Sequence, residues 1–328
     1  MANEAERKII LIEKAEVLRE SEVQQTARSE SEKNIDGGYD ANVNIVQCFA
    51  AMEYRYTGGR YVDEPIRFRL RSPQNIEPGK TYPLIVWTHG YGESVGDNKR
   101  QLAHIHYAIK SFAGKDQLDF FMLATQCPAN NPSWDISLAQ DGKGDASMTI
   151  MDEIFERLLV EYPIDQDRIS VVGVSSGGSA AWEYVAKHPG RFASLVAFSC
   201  TPPSGVSPSI FEKTAVWAFN NKGDTVPYQP VVDMVQKIND LGGTAHVQLR
   251  EGGLHITWDR PLARQEIIRW MIRQHLDGSG PLPWNAYHLR SPAEAFLMFG
   301  LPALLIVVSL IVHIIKSRQS DAKQIIDS

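Results

Sequence analysis

The stretch RISVVGVSSGGSAAWEYVAKHPGRF, residues 168–192, joins a continuous apolar run to a helix-like run across several small residues. The apolar run has the character of a strand buried on both faces. Ser175 stands at the junction in a GxSxG pattern, between Gly173 and Gly177. Small residues there permit the sharp turn of a nucleophile elbow, which lifts a serine hydroxyl above the sheet edge. Because GxSxG also recurs by chance, Ser175 could instead be one more small residue in a tight turn.

Other apolar runs predict the sheet around this turn. They are LIVWT from Leu84, FFMLA from Phe120, SLVAF from Ser194 and AVWAF from Ala215. Helical spacing separates most of them, as over residues 150–158 and 232–238. Upstream, MEYRY and IRFRL alternate with period two around TGG, which predicts an antiparallel hairpin with Ile66, Phe68 and Leu70 facing inward. The pattern indicates an α/β protein with a mostly parallel central sheet flanked by helices.

Two residues downstream of the serine could complete a catalytic triad. A serine hydroxyl is a weak nucleophile that needs a histidine base, and the base needs a carboxylate to hold it. Asp224 follows AVWAF in NNKGDTVP, and His255 follows AHVQLR in EGGLHITWD. Both come after predicted strands, where open parallel sheets place their sites, and they follow the serine in the order acid, then histidine. The alternatives are that Asp224 only shapes a turn ahead of Pro227 and that His255 is a polar loop residue.

The stretch WTHGYGE, between a predicted strand and a glycine-rich loop, offers the rest of an acyl-transfer site. His89 is a rival base, but it lies upstream of the serine, so we expect it to brace the loop. An oxyanion hole needs two backbone N–H groups, which we expect from Ser176, next to the nucleophile, and from Tyr91. Gly90 and Gly92 would let this backbone come close to a ligand.

Composition argues against metal, cofactor and nucleic acid. His104 and His106 are two residues apart and so do not share a helix face. The three cysteines, Cys48, Cys127 and Cys200, show no CxxC spacing, which favours buried free thiols over a zinc site. Lys and Arg total 33 against 39 Asp and Glu, with no basic stripe, so nucleic acid is not an expected partner. The expected chemistry needs no cofactor or metal.

Five motifs in order resemble the serine α/β hydrolases described as predicted peptidases, phospholipase/carboxylesterase-like proteins, or polyhydroxybutyrate depolymerase and feruloyl esterase-like proteins. They are YPLIVWTHGYGESVGDNKRQL, ATQCPANNPSW, YPIDQDRISVVGVSSGGSAAWEYVAKHPGRFASLVAFS, WAFNNKGDTVP and GGLHITWD, within residues 50–278. The resemblance implies an α/β-hydrolase fold with Ser175 as nucleophile, Asp224 as acid and His255 as base. It also places Trp134 near the cleft, and position alone suggests that Glu93 and Trp134 contact the substrate.

The chain departs from the family pattern at four positions. Ser176 stands where Met is usual, Asn220 and Asn221 where His-Gly is usual, and Ser94 where Arg is usual. None of these differences removes a triad member.

The stretch FLMFGLPALLIVVSLIVHII, residues 296–315, runs for twenty residues without a formal charge. A helix of that length spans the roughly 30 Å of a bilayer core. The alternative is a buried terminal helix, but such a helix would keep a polar stripe and this one is apolar all round. We therefore expect a single-pass C-terminal anchor in a lipid bilayer. Cations at Lys316, Arg318 and Lys323 favour a cytoplasmic tail, whereas the lack of a visible export signal favours the opposite orientation, so the side of the membrane stays open.

The predicted organisation has five parts. The first of them, a charged leader, is expected to contain a helix with a weak apolar stripe through Leu11. The parts are a charged leader (1–38), an α/β-hydrolase domain (39–278), a Pro/Gly linker (279–292), a transmembrane helix (293–316) and a polar tail (317–328).

The predicted function is hydrolysis of small carboxylic esters through a Ser-His-Asp triad and an acyl-enzyme, by a membrane-tethered protein. One alternative is a serine peptidase of the same fold. Another is an inactive, membrane-anchored binding module, which labelling with a serine-reactive probe would distinguish. A third is an interaction protein that acts through its leader, in which case deletion of residues 1–35 would abolish its role and spare hydrolysis.

Overall fold

The computed structural model describes residues 9–14, 42–58, 61–115, 117–127, 134 and 146–283. The backbone divides into two units, Met1–Pro281 and Leu282–Ser328, and the fold below is that of the first. The predicted transmembrane helix, 293–316, and the polar tail, 317–328, lie outside the described residues. Among the described residues, no helix is long and apolar enough to cross a membrane.

One sheet of nine strands organises the described residues, in the order β1-β2-β3-β5-β4-β6-β7-β8-β9. The strands are β1 (Ile9–Glu13), β2 (Ala50–Gly58), β3 (Tyr61–Arg71), β4 (Tyr82–Thr88), β5 (Phe121–Thr125), β6 (Ile164–Val174), β7 (Ser194–Phe198), β8 (Ala215–Asn221) and β9 (Ala245–Arg250). Strands β4 to β9 run parallel to one another, and β1, β2 and β3 add an antiparallel edge. The sheet is therefore mostly parallel, as predicted.

Helices follow or precede the parallel strands. They are α1 (Asn42–Gln47), α2 (Ala146–Glu161), α3 (Ser176–Lys187), α4 (Gln229–Asp240), α5 (Asp259–Ala263) and α6 (Glu266–Met271). Short 3-10 helices occupy Tyr91–Glu93, Arg100–Leu102, Ile105–Ser111 and Pro208–Phe211. The helix-like spacings over 150–158 and 232–238 fall in α2 and α4 and are confirmed.

The two faces of the sheet are buried in separate apolar cores, because successive side chains of a strand point to opposite faces. In β4, Leu84 and Val86 join a core formed with α2, α3 and α4. Ile85 and Trp87 join the other core, with the 3-10 helix Ile105–Ser111 and helices α5 and α6. Coverage on both faces explains why the parallel strands are continuous apolar runs.

The predicted hairpin is present, and one prediction for the leader is wrong. Strands β2 and β3 pair antiparallel with Tyr54 opposite Ile66, and Phe68 and Leu70 are fully buried. Ile9–Glu13 was expected to lie in a helix, but it forms strand β1 and pairs antiparallel with β2. The isoleucines of IILIE favour an extended conformation. The edge of β2 also presents backbone N–H and C=O groups, which form hydrogen bonds with an extended segment but not with a helix.

The core on the α2 face yields a direct stability prediction. Ile154 of α2 has no exposed surface, so Ile154→Ala leaves a cavity and should lower the free energy of unfolding by about 3 kcal/mol. Val160 of the same helix is 80% exposed, so Val160→Ala removes a similar side chain without a cavity and should change stability little. Urea denaturation of both variants measures the difference. Equal losses would contradict the described packing of α2.

Candidate active site

Ser175 occupies a sharp turn between β6 and α3. Its backbone lies in the positive-φ region, with φ 54° and ψ −125°, which is strained for a residue with a side chain. Its N–H donates to the carbonyl oxygen of Phe198 on the neighbouring strand β7 at 2.8 Å. The surrounding sheet therefore holds the serine in a conformation that it would not adopt alone.

The glycines on either side of Ser175 are required by space. A Cβ on Gly177 would lie 2.2 Å from the carbonyl oxygen of Thr88 and 2.3 Å from that of His89. A Cβ on Gly173 would lie 2.2 Å from the carbonyl oxygen of Gly177. Because these neighbours are mostly backbone atoms, making room for a Cβ would require the strands and helix to shift, which costs free energy. The GxSxG pattern is thus the packing condition for this strand-to-helix turn.

The three residues predicted to act together lie in one chain of hydrogen bonds. Nε2 of His255 lies 2.8 Å from Oγ of Ser175. Nδ1 of His255 lies 2.9 Å from each carboxylate oxygen of Asp224. Asp224 follows β8 and His255 follows β9, so both come from the carboxyl ends of parallel strands. The structure brings together all three side chains that the order of motifs selected.

Burial and hydrogen bonding hold Asp224 in its charged form. Its side chain has no exposed surface, whereas that of His255 is 36% exposed. Burial raises the pKa of the Asp224 carboxyl, but bonds from the Val226 N–H and from His255 outweigh this effect, so the pKa lies below its ordinary value. The Asp224 carboxylate accepts a hydrogen bond from a protonated Nδ1 of His255. Nε2 is then unprotonated and can accept a proton from Ser175.

A further residue supports the histidine loop and was not identified from the sequence. Nδ2 of Asn221 donates to the carbonyl oxygens of Leu254 at 2.5 Å and Ile256 at 3.2 Å, which flank His255. The neighbouring Asn220 donates to the carbonyl oxygen of Cys200 at 3.1 Å. The sequence does mark these two positions, because Asn220 and Asn221 are departures from the family pattern. Their partners could not be read from a linear sequence.

The loop after β4 comes up against the serine. A Cβ on Gly90 would lie 3.7 Å from Cβ of Ser175, so the two turns are in contact. Tyr91 begins a 3-10 helix directly after Gly90, with its side chain 62% exposed. Ser176 is the first residue of α3, where N–H groups have no partner within the helix. The residues predicted to supply two oxyanion N–H groups thus directly follow the two turns in contact, Tyr91 after Gly90 and Ser176 after Ser175.

His89 braces this loop, as expected. It is fully buried, and its Nε2 accepts the N–H of Cys127 at 3.0 Å. Its other nitrogen, Nδ1, therefore carries the proton and donates to the carbonyl oxygen of Gly90 at 2.6 Å. Burial lowers the pKa of His89, which keeps the ring neutral. With both nitrogens engaged, His89 does not compete with His255 as the partner of Ser175.

Trp134 and Glu93, the two expected substrate contacts, are both buried against protein groups. Trp134 is 2% exposed, and its Nε1 donates to the carbonyl oxygen of His89 at 2.8 Å. Glu93 is 8% exposed, with Oε1 3.3 Å from Nε2 of His104. These positions favour support of the loop over contact with a substrate, because groups packed in this way offer little surface to a ligand.

The cysteines and histidines outside this cluster show no metal-binding arrangement in the part of the chain that the structure describes. No group of three or more His, Cys, Asp or Glu side chains there could hold an ion. Cys48, Cys127 and Cys200 are buried and show no disulfide within the described part of the chain. Burial raises the pKa of both Cys48 and Cys200 to about 12, so these thiols are unreactive at neutral pH.

Comparison with known proteins identifies the family to which the chain belongs. The model of the family described as "Putative esterase" matches residues 59–254, which include the serine turn and the Asp224 loop. The chain belongs to this esterase family. No curated protein sequence matches it. A solved structure of a thermostable esterase is 26% identical to this esterase-family chain, with a TM-score of 0.62 over 70% of this chain and 64% of the other.

A second solved structure shows the fold alone. The acylaminoacyl peptidase of Pyrococcus horikoshii is 14% identical, with a TM-score of 0.50 over 71% of this chain and 43% of the other. The esterase-family chain therefore spans less than two thirds of the length of both solved structures. With the mostly parallel sheet, these similarities establish the α/β-hydrolase fold.

The packing of the serine turn generates a prediction for stability. Gly177→Ala places a methyl group against the carbonyl oxygens of Thr88 and His89 and should lower the free energy of unfolding by about 2 kcal/mol. Gly92→Ala is the matched control, because no heavy atom lies within 4 Å of the added Cβ. Guanidinium denaturation of the two variants tests the difference. A Gly177→Ala protein as stable as the control would show that the turn can relax.

Proposed function

We propose that this protein is a serine hydrolase that cleaves small carboxylic esters through Ser175, His255 and Asp224. The observation that carries the proposal is the unbroken path of hydrogen bonds from Asp224 through His255 to Ser175, with contacts of 2.9 and 2.8 Å. Membership of the esterase family supports it independently.

In the proposed first step, Oγ of Ser175 attacks the ester carbonyl carbon. His255 takes the serine proton on Nε2, and the buried carboxylate of Asp224 stabilises the imidazolium that forms. The negative charge that develops on the carbonyl oxygen is held by the backbone N–H groups of Tyr91 and Ser176. The tetrahedral intermediate then collapses as His255 gives its proton to the leaving alkoxide, which leaves an acyl group on Ser175 and releases an alcohol.

In the second step, water replaces the alcohol. His255 removes a proton from the water as its oxygen attacks the acyl carbon, and the same N–H groups hold the second oxyanion. Transfer of the proton to Oγ of Ser175 releases the carboxylic acid and restores the free enzyme. This cycle uses only side chains and backbone groups of the chain, together with water.

Labelling of the full chain with a fluorophosphonate probe tests the nucleophile, and the hydrolysis of p-nitrophenyl esters tests turnover. We expect Ser175→Ala to abolish both, and Asp224→Asn to lower kcat by about 10⁴ because the histidine loses its orienting carboxylate. Asp233→Asn on α4 is the control, since Asp233 is exposed and bonds to Gln229 at 2.8 Å, and it should keep wild-type rates.

Three other outcomes have distinct meanings. Faster cleavage of peptide anilides than of any p-nitrophenyl ester would replace the esterase proposal with the peptidase alternative. A folded wild-type chain that neither labels nor turns over a substrate would favour the inactive binding module. Full hydrolysis without residues 1–35, together with loss of the biological role, would favour an interaction protein that acts through its leader.

We further propose that residues 296–315 tether this hydrolase to a lipid bilayer by one C-terminal helix. The support is in the sequence, where twenty residues without a formal charge are followed by Lys316 and Arg318. The full chain should remain in the membrane fraction after extraction with alkaline carbonate, because a spanning helix is held by apolar burial. A chain that ends at Pro292 should be released. Release of the full chain by carbonate would contradict the tether.

A further inference from the structure

A second carboxylate–imidazole pair, Glu93 with His104, takes no part in the mechanism above. Glu93 lies on the loop after β4 that also carries Tyr91, and this loop (residues 89–93) is called the oxyanion loop. Nε2 of His104 lies 3.3 Å from Oε1 of Glu93. The side chains are 17% and 10% exposed, so the pair is largely removed from water. His104 immediately precedes the 3-10 helix Ile105–Ser111, and Glu93 ends the short helix that begins at Tyr91.

The Glu93 carboxylate is close to the point where negative charge would develop. A Cβ on Gly90 would lie 2.7 Å from Oε2 of Glu93 and 3.7 Å from Cβ of Ser175. Gly90 therefore lies close to both the carboxylate and the serine. Among the described residues, Oε2 has no hydrogen-bond partner.

Glu93 is charged at neutral pH. Burial raises the pKa of its carboxyl, but the contact with His104 leads the effects that outweigh burial and hold the pKa below its ordinary value. A buried negative charge beside an oxyanion disfavours the transition state, because the local dielectric is low and the two charges repel. The site therefore needs a positive or hydrogen-donating group on Glu93.

His104 also packs toward the catalytic histidine. Its ring centroid lies 4.8 Å from that of Trp258, and the Trp258 ring lies edge-on to His255 at 6.0 Å. Trp258 is 5% exposed and precedes helix α5. One imidazole thus contacts Glu93, which lies on the oxyanion loop, and Trp258, which packs against the base.

We propose that His104 is a positioning residue of the active site, which donates a hydrogen bond to the Glu93 carboxylate next to Gly90 and so shields the oxyanion hole from a like charge. The inference rests on the proposed hydrolase function. Under this inference His104 is needed for a high kcat only because Glu93 is present. His104 itself does not contact the substrate. Removal of Glu93 should therefore remove the need for His104.

The test is a double-variant cycle on the full chain, with kcat and KM for p-nitrophenyl butyrate and the rate of fluorophosphonate labelling at one pH. The variants are His104→Ala, Glu93→Gln and the pair together. His104→Phe keeps a ring against Trp258 but has no N–H for Glu93, so it separates packing from charge. His188→Ala is the matched control, because His188 makes a similar contact of 3.2 Å with Asp152 on α2.

We expect His104→Ala and His104→Phe each to lower kcat and the labelling rate by about tenfold, with little change in KM, because only the transition state carries the oxyanion. Adding Glu93→Gln to either variant should restore kcat to within about threefold of Glu93→Gln alone. His188→Ala should keep wild-type kcat. Should His104→Ala fail to fold, as judged by thermal unfolding, His104→Phe carries the test.

The inference is overturned if the double variants stay as slow as the single His104 variants, or if His104→Phe retains the wild-type rate. In either case the proposed function stands, provided that the wild-type chain labels and Ser175→Ala does not. If the wild-type chain does not label at all, the proposed function and this inference fail together.

Discussion

The close approach of β6, α3 and the loop after β4 at Gly173 and Gly177 is the constraint on which the rest of the site depends. No side chain fits at either position, because the neighbours within 2.2 to 2.3 Å of an added Cβ include backbone carbonyl oxygens. This contact forces Ser175 into a positive-φ conformation, which the hydrogen bond to Phe198 on β7 then holds. In this conformation the Ser175 hydroxyl lies at the sheet edge, 2.8 Å from Nε2 of His255.

Charge in this site is arranged by burial as much as by proximity. Asp224 is a fully buried carboxylate that remains charged because the Val226 N–H and His255 bond to it, so it can hold the imidazole in one tautomer. Glu93 is a second buried carboxylate, on the oxyanion loop itself, and His104 contacts it. The proposed chemistry needs the negative charge of Asp224, but the negative charge of Glu93 would oppose it. His255 therefore acts as the base, whereas His104 shields the Glu93 carboxylate.

Local patterns were sufficient where one feature dominates a segment. Each strand from β4 to β8 was predicted because a parallel strand covered on both faces is an uninterrupted apolar run. The order of Ser175, Asp224 and His255 selected the three side chains that meet, since parallel strands bring successive loops to one edge. Ile9–Glu13 was predicted wrongly as a helix, because its conformation depends on pairing with β2, about forty residues away.

The sequence by itself determined the α/β class and the turn at Ser175, because apolar period and small residues are properties of nearby positions. It also determined the identity of the two partners of Ser175, because motif order follows the order in which parallel strands bring their loops to one edge. Only the tertiary structure decided which groups support them. Asn221 reaches the carbonyl oxygens of Leu254 and Ile256, Trp134 bonds to His89, and Glu93 faces His104. Each of these contacts joins residues from separate loops, and their distance is set by how helices and strands pack, which no short stretch of sequence records.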